Sequence, residues 1–383
     1  MKKILYAYLT IFLSIGFFAC SEDDLVTAPT GSVELNEMLQ DADGAQAAME
    51  GVYRMLFTSG WSVGNEHQNF GIMSTKMFTS LMGEDFLQDA QGNGWFYFDY
   101  GYAVRDRYTS AAWRSYATWN FYYTLISNAN YILDAEETLE GDPKDIDNVM
   151  AQAYTIRAYS YFQLIQLFQQ TYVGNQNAPG VPVYTEGTTN KSVGKSRGTV
   201  EEVYTQINSD LNDALEKFEA SGKRQAHPSH IDIYIASAIK ANVALVQNKW
   251  DLAAEYAKKA LSKKGLSLTS GDDLFTGFNN RNMKGVLWAS EVIADQSGIY
   301  ASFFAHMDAR ADRYARSSRK CIYNWLYNQI DDKDIRKQWW NGPQEGEGNA
   351  GKPYNQHKFQ YSSIETDLGD YIYMRADEMQ LVL

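Results

Sequence analysis

Gly346 to Lys352 reads Gly-x-x-x-x-Gly-Lys, the spacing with which a glycine-rich loop cradles a phosphate. Pro353 stands where a Ser or Thr would hold magnesium, and no strand-like run precedes the loop, so nucleotide chemistry is not expected there. Ser192 and Lys195 have the Ser-x-x-Lys spacing of a lysine-assisted nucleophile, but they lie in a glycine-containing loop without the partner motifs. His227 and His230 could offer two nitrogens to zinc; Pro228 interrupts them and no His-Glu-x-x-His frame follows. The pairs Asp272-Asp273 and Asp331-Asp332 read as solvated loop charge. A glycosidase needs two carboxylates facing each other across a cleft, which adjacency does not supply. No metal, cofactor or catalytic residue is expected, and an exported glycoside hydrolase stands as the enzyme alternative.

Sugar recognition calls for other residues. A pyranose has an apolar C–H face and a rim of hydroxyls, so it needs a flat aromatic ring beneath it and hydrogen-bonding side chains at its edge. Three segments bring both. Residues 92–102, GNGWFYFDYGY, hold Trp95, Tyr97, Tyr100 and Tyr102 with Asn93 and Asp99. Residues 60–70, GWSVGNEHQNF, hold Trp61 with Asn65, His67 and Gln68. Residues 338–341, QWWN, place Trp339 and Trp340 beside a glycine-rich loop. The competing reading is that these rings plug grooves between helices, and one of Trp339 and Trp340 is expected to do so. Trp113, Trp119 and Trp250 fall on helical faces and are expected in the core.

One further residue is chemically distinct by position. Lys2 and Lys3 precede an apolar run from Ile4 to Phe18, and Ala19 stands directly before Cys20. The run is shorter than the roughly 20 apolar residues of a spanning helix. Residues 1–19 therefore read as a bacterial lipoprotein signal, cleaved before a lipidated Cys20, although Phe17 stands where Leu is usual. Residues 20–32, with Pro29 and Gly31, read as a flexible tether. Cys321 then has no partner for a disulfide and is expected as a buried small hydrophobe. A net charge of −13 argues against nucleic acid as a partner.

The elements that position these residues read as helices from about Val33 onward. Thr199 and Glu202 form a capping box, and Val203, Ile207, Leu211, Leu215 and Phe218 repeat at helical spacing over 200–218. A second helix is predicted from Ser229 and a third after Lys249, joined so tightly that they must run antiparallel. Trp113–Leu133 and Ala151–Phe168 read as another pair, separated by Asp142-Pro143. Residues 171–198 and 340–353 read as long irregular connections. The stretch NKWDLAAEYAKKAL has the small-against-large pattern of a tetratricopeptide hairpin. The fold class expected is predominantly all-α, with such hairpins and irregular loop insertions in one domain over 33–383.

Several stretches together resemble the SusD/RagB family of outer-membrane nutrient-uptake lipoproteins of Bacteroidota. They are the signal with CSEDD, the helix WRSYATWNFYYTLISNANYIL, the helix AQAYTIRAYSYFQLIQLF with PGVPVY, the signature SRGTVEEVYTQINSDLNDAL, and the hairpin ASAIKANVALVQNKWDLAAEYAKKAL. The resemblance implies a lipoprotein on the outer face of the outer membrane that performs no chemistry. It would capture oligosaccharides, or for some members peptides, and deliver them to a TonB-dependent, SusC-like barrel transporter. It fixes no ligand residues; Trp95, Tyr97, Tyr100, Asn93, Asp99, Trp61, Trp339 and Trp340 remain candidates from composition. A scaffold that binds only protein is the alternative from another class. Family members usually run past 500 residues, and DYIYMRADEMQLVL resembles the start of a helix that normally continues, so a truncated product or fragment is expected.

Overall fold

A computed structural model describes residues 38–59, 66–102, 113–189, 191–296 and 301–383. The predicted signal, Cys20, the tether and Trp61 lie outside them. Within them the chain is predominantly helical. The helices are α1 (Ala42–Met55), α2 (Ile72–Met82), α3 (Tyr97–Tyr100), α4 (Trp113–Asp134), α5 (Pro143–Phe168) and α6 (Val200–Ser221), then α7 (Ile233–Val246), α8 (Trp250–Leu261), α9 (Phe303–Met307), α10 (Asn324–Gln329) and α11 (Ala376–Val382). Two antiparallel strand pairs accompany them. β1 (Leu87–Gln88) pairs with β3 (Lys320–Cys321), and β2 (Val286–Ser290) pairs with β4 (Tyr371–Arg375).

Each helix from α4 to α8 packs on the next, which is the array of tetratricopeptide-like hairpins that the periodicity predicts. The signals at their ends are local. Thr199 Oγ1 accepts from the Glu202 amide at 3.1 Å while the Glu202 carboxylate accepts from the Thr199 amide at 2.6 Å. That closes the capping box, and Gly222 at φ 60° ends the same helix in a conformation that suits glycine. Helix α5 begins at Pro143, eight residues before the predicted Ala151. Asp142-Pro143 is thus its N-cap and first residue, not merely a separator, and the Asp142 carboxylate accepts from the Lys144 amide at 2.9 Å. Helix α7 begins at Ile233, later than the predicted Ser229. Asp232 caps it by accepting from the amides of Tyr234 and Ile235 at 3.0 and 2.9 Å. Asn248 at φ 57° makes the reversal into α8.

In α8 the packed face is Ala253, Ala257 and Ala260, each buried. Trp250, expected in the core, is 59% exposed. It occupies the first helical position, where a side chain leans back past the helix end instead of onto the partner helix. Trp119 is half-buried, edge-on to Phe168 at 5.0 Å. Trp113 is also half-buried, under the Arg114 guanidinium at 4.5 Å.

The high aromatic content goes mainly inward, with polar tips pinned. Trp288 is fully buried and its indole N–H donates to Ser229 O at 3.0 Å. The Tyr53 hydroxyl donates to Gln152 Oε1 at 2.6 Å, and the Tyr161 hydroxyl to Tyr184 O at 2.8 Å. Residues 171–198 are irregular, as predicted, yet well held. Gly180 lies so close to the start of α6 that a Cβ there would sit 2.6 Å from Thr199 O.

The strongest fixture of the hairpin array is polar. Arg157 on α5 makes a double hydrogen bond to Asp210 on α6, at 2.9 and 2.6 Å. Its remaining nitrogen donates to Asn130 Oδ1 on α4 at 2.8 Å and to Thr185 O in the loop at 3.2 Å. Asn130 in turn donates to the carbonyls of Tyr184 and Glu186. All three side chains are buried. One guanidinium therefore ties three helices and a connection together.

Candidate functional site

A concavity of about 660 Å³ is walled by α2, α9, β4 and the segments 334–340 and 356–359. Its rim is built locally. Asp334 caps the turn Ile335–Trp339, accepting from the Arg336 amide at 3.0 Å and from its guanidinium at 2.9 and 2.6 Å. These donors hold the Asp334 carboxyl down to about 2. Beyond the turn the backbone extends alongside 355–357. Asn341 N donates to Asn355 O at 2.9 Å, His357 N donates to Trp339 O at 2.7 Å, and Trp340 bridges Gln356.

The two tryptophans on this rim differ. Both are half-buried and both line the cavity. The Trp339 indole N–H donates to Leu274 O at 2.7 Å, Phe278 stands edge-on to its ring, and the Lys358 ammonium lies 4.4 Å from its centroid. Trp339 is the anchored ring, though neither of the pair is buried in the core as one was expected to be. Trp340 tilts against Phe86 at 5.3 Å, and its indole N–H has no protein partner among the described residues. Burial, followed by the neighbouring Arg375, pushes the Lys358 ammonium down to about 8.

The segment 92–102 forms a second aromatic cluster, apart from the cavity walls. Asn93 is exposed, and Tyr97 and Tyr100 are half-buried with ring centroids 6.4 Å apart. Trp95 stacks on His67 at 4.7 Å and 17°, and His67 Nδ1 meets the Tyr314 hydroxyl. The structure thus brings together parts of two predicted segments. It also corrects one residue: Asp99 is not presented to solvent. It is 7% exposed and grips Arg114 with both oxygens, at 3.1 and 3.0 Å. Gln68 is structural as well, accepting from the Phe96 amide at 2.7 Å and from Arg114 at 3.1 Å.

Phe86, Phe278, Lys358, Phe359 and Arg375 belong to the cavity wall and were not singled out in the sequence. Apart from the neighbours Lys358 and Phe359 they are scattered along the chain, so only tertiary contact assembles them. Cys321 is buried as expected, and burial pushes its thiol up to about 12. His230 stacks on Tyr53 at 5.0 Å and pairs with Glu50, while His227 bonds Ser229 and Glu291. Among the described residues no group of three His, Cys, Asp or Glu side chains is placed to hold a metal ion. Nor is any helix long and apolar enough to cross a membrane.

Residues 66–239 match the SusD-like family described as starch-binding and associating with the outer membrane. Solved SusD-like structures share its fold. A SusD-like carbohydrate-binding protein from Bacteroides vulgatus ATCC 8482 is 23% identical over 89% of this chain and 70% of its own, at a TM-score of 0.76. A laminarin-binding SusD-like protein is 17% identical over 90% of this chain and 79% of its own, at a TM-score of 0.66. Surface glycan-binding protein A from Bacteroides fluxus is 17% identical over 89% and 75%, at a TM-score of 0.64. No curated protein matches the sequence. The matched SusD-like window contains Asn130, Arg157 and Asp210, whereas Trp339, Trp340 and Lys358 lie beyond it. The family match therefore rests on the scaffold and not on the cavity's rim.

Proposed function

We propose that this SusD-like chain is a cell-surface glycan-binding lipoprotein that captures oligosaccharide without transforming it. The observation that carries the reading is Trp340, which lines a cavity of about 660 Å³ and whose indole N–H has no protein partner among the described residues. That size suits a short saccharide, with the ring under a sugar face and charged side chains at the hydroxyl rim. The names of its structural relatives support the same ligand class. Trp95 on His67 is a secondary platform, with Asn93, Tyr97 and Tyr100 beside it. Trp61 remains a candidate of the same kind outside the described residues.

Calorimetry against a panel of glycans tests this. Trp340→Ala is expected to weaken the best ligand at least about tenfold, the scale of a lost stacking contact and its buried area. Trp95→Ala is expected to have a smaller effect. Binding unaffected by Trp340→Ala would remove the cavity from the reading, and failure to bind any glycan would favour a protein-binding scaffold. Release of reducing ends from a bound glycan would favour the hydrolase instead.

The same proposal extends to position in the cell: Cys20 is lipidated, residues 20–32 tether a single domain over 33–383 to the outer membrane, and a TonB-dependent barrel transporter receives the ligand. Cys20→Ala is expected to move the protein from the membrane fraction to the soluble fraction while leaving glycan affinity unchanged. Retention in the membrane fraction would count against the anchor.

A further inference from the structure

The cavity wall carries five cationic side chains and four carboxylates, close to balance in a chain that carries −13 as a whole. Several wall charges are already answered. Arg336 pairs with Asp334 at 2.6 Å, and Arg375 pairs with Asp377 at 3.1 Å. The Asp370 carboxylate accepts the amides of Arg281 and Val292, and Glu378 accepts the Arg375 amide at 3.0 Å. Lys76, Lys320 and Lys358 in the wall make no ion pair among the described residues, and the wall carboxylates of Asp85, Asp370 and Glu378 make none with a side-chain cation.

Lys358 is the most unusual of these. Its ammonium lies 4.4 Å from the Trp339 ring centroid, 4.9 Å from Phe359 and 5.4 Å from Phe278. Among the described residues it makes no ion pair and no hydrogen bond. Arg375 shares the Phe278 ring, at 4.9 Å, so a second cation faces it across the same aromatic group. Lys320 is 0% exposed, and among the described residues its ammonium donates only to Ser318 O, at 2.9 Å. Aromatic faces attract a cation but accept none of its three N–H donors well. A buried ammonium left this way is costly unless something else completes it.

We propose that the saccharide bound in this cavity carries an anionic group, a uronate carboxylate or a sulfate, and that Lys358 receives it. This rests on the carbohydrate reading above and narrows it to a substrate class. The anion supplies the acceptors that the rings lack, while the rings hold the ammonium stem upright and dry. In a chain of net charge −13, a concavity whose wall is close to charge balance is also an easier place for such a ligand to approach than the acidic remainder.

The test compares three probes by calorimetry: oligogalacturonate, a sulfated galactan oligosaccharide and an uncharged galactan oligosaccharide. One charged probe is expected to bind at least tenfold more tightly than the uncharged one, and which one does so identifies the anion. Lys358→Gln should erase that preference. Lys358→Arg should keep it, and should keep it at alkaline pH, where the guanidinium stays protonated. The unaltered protein should lose the preference as pH rises through about 8, because the ammonium flanked by Arg375, Asp85, Glu378 and Arg336 then deprotonates. Lys358→Met should melt no lower than the parent, since it removes an uncompensated charge; that separates lost binding from lost fold. Equal affinity for all three probes, or a preference untouched by Lys358→Gln, overturns the inference. If Trp340→Ala still weakens binding in that case, the carbohydrate reading stands alone. If no glycan binds at all, both fall.

Discussion

Asp210→Ala is expected to cost about 3–5 kcal/mol of folding stability, the range for breaking a buried ion pair from one side. The loss exceeds that of the pair's own bonds because Arg157 stays behind, buried, with only Asn130 Oδ1 and Thr185 O to receive its donors. Urea melts read it as a lower midpoint with an unchanged slope. The double variant Arg157→Met, Asp210→Leu should recover much of the loss, since well-packed apolar groups often replace a buried pair at little cost. A single variant as stable as the parent would mean that water reaches the site and that the three helices are held by packing alone.

Arg114→Ala should be comparably damaging, again about 3–5 kcal/mol, and more local in its consequences. Arg114 grips Asp99 with two bonds, donates to Gln68 O and Oε1, and lies over the rings of Phe78, Phe96 and Trp113 at 5.0, 4.9 and 4.5 Å. Removing it takes two hydrogen bonds from the buried Asp99 carboxylate and loosens the turn that presents Trp95. Tryptophan fluorescence should report a Trp95 freed from His67 before global unfolding begins. Arg114→Lys is expected to rescue little, because a point charge cannot span Asp99 and Gln68 together. Full stability in Arg114→Lys would show that charge, not the fork, is what the site requires.

What was legible in the sequence had local causes. The capping box at Thr199 and the five-residue apolar stripe behind it specify α6 without help from the rest of the chain. The tight reversal at Asn248 specifies the α7–α8 hairpin in the same way. Residues 143–150 were harder to assign, because PKDIDNVM shows no clear stripe and its helical state follows from the cap at Asp142 and from packing. Trp250 was misplaced because periodicity assigns a face but not the overhang at a helix end.

The site divides along the same line. Trp339 and Trp340 are adjacent, so their pairing was visible, but which of them is anchored by its indole N–H depends on Leu274, far away in the chain. Asp99 looked like a hydroxyl acceptor because its partner lies fifteen residues on, at Arg114, and composition does not distinguish a gripped carboxylate from a free one. Lys358 could not be recognised at all. Its significance depends on three rings from separate segments closing around it.

The rim of the cavity is held by main-chain bonds between 339–341 and 355–357, while Trp340 and Lys358 project from that ribbon as side chains. Holding a shape with backbone and reading a ligand with side chains separates two kinds of mutational risk. Substitutions along the ribbon can alter what is recognised without disturbing how the ribbon is held. If the carbohydrate reading holds, such a protein can change its ligand one residue at a time while the hairpin array beneath stays as it is.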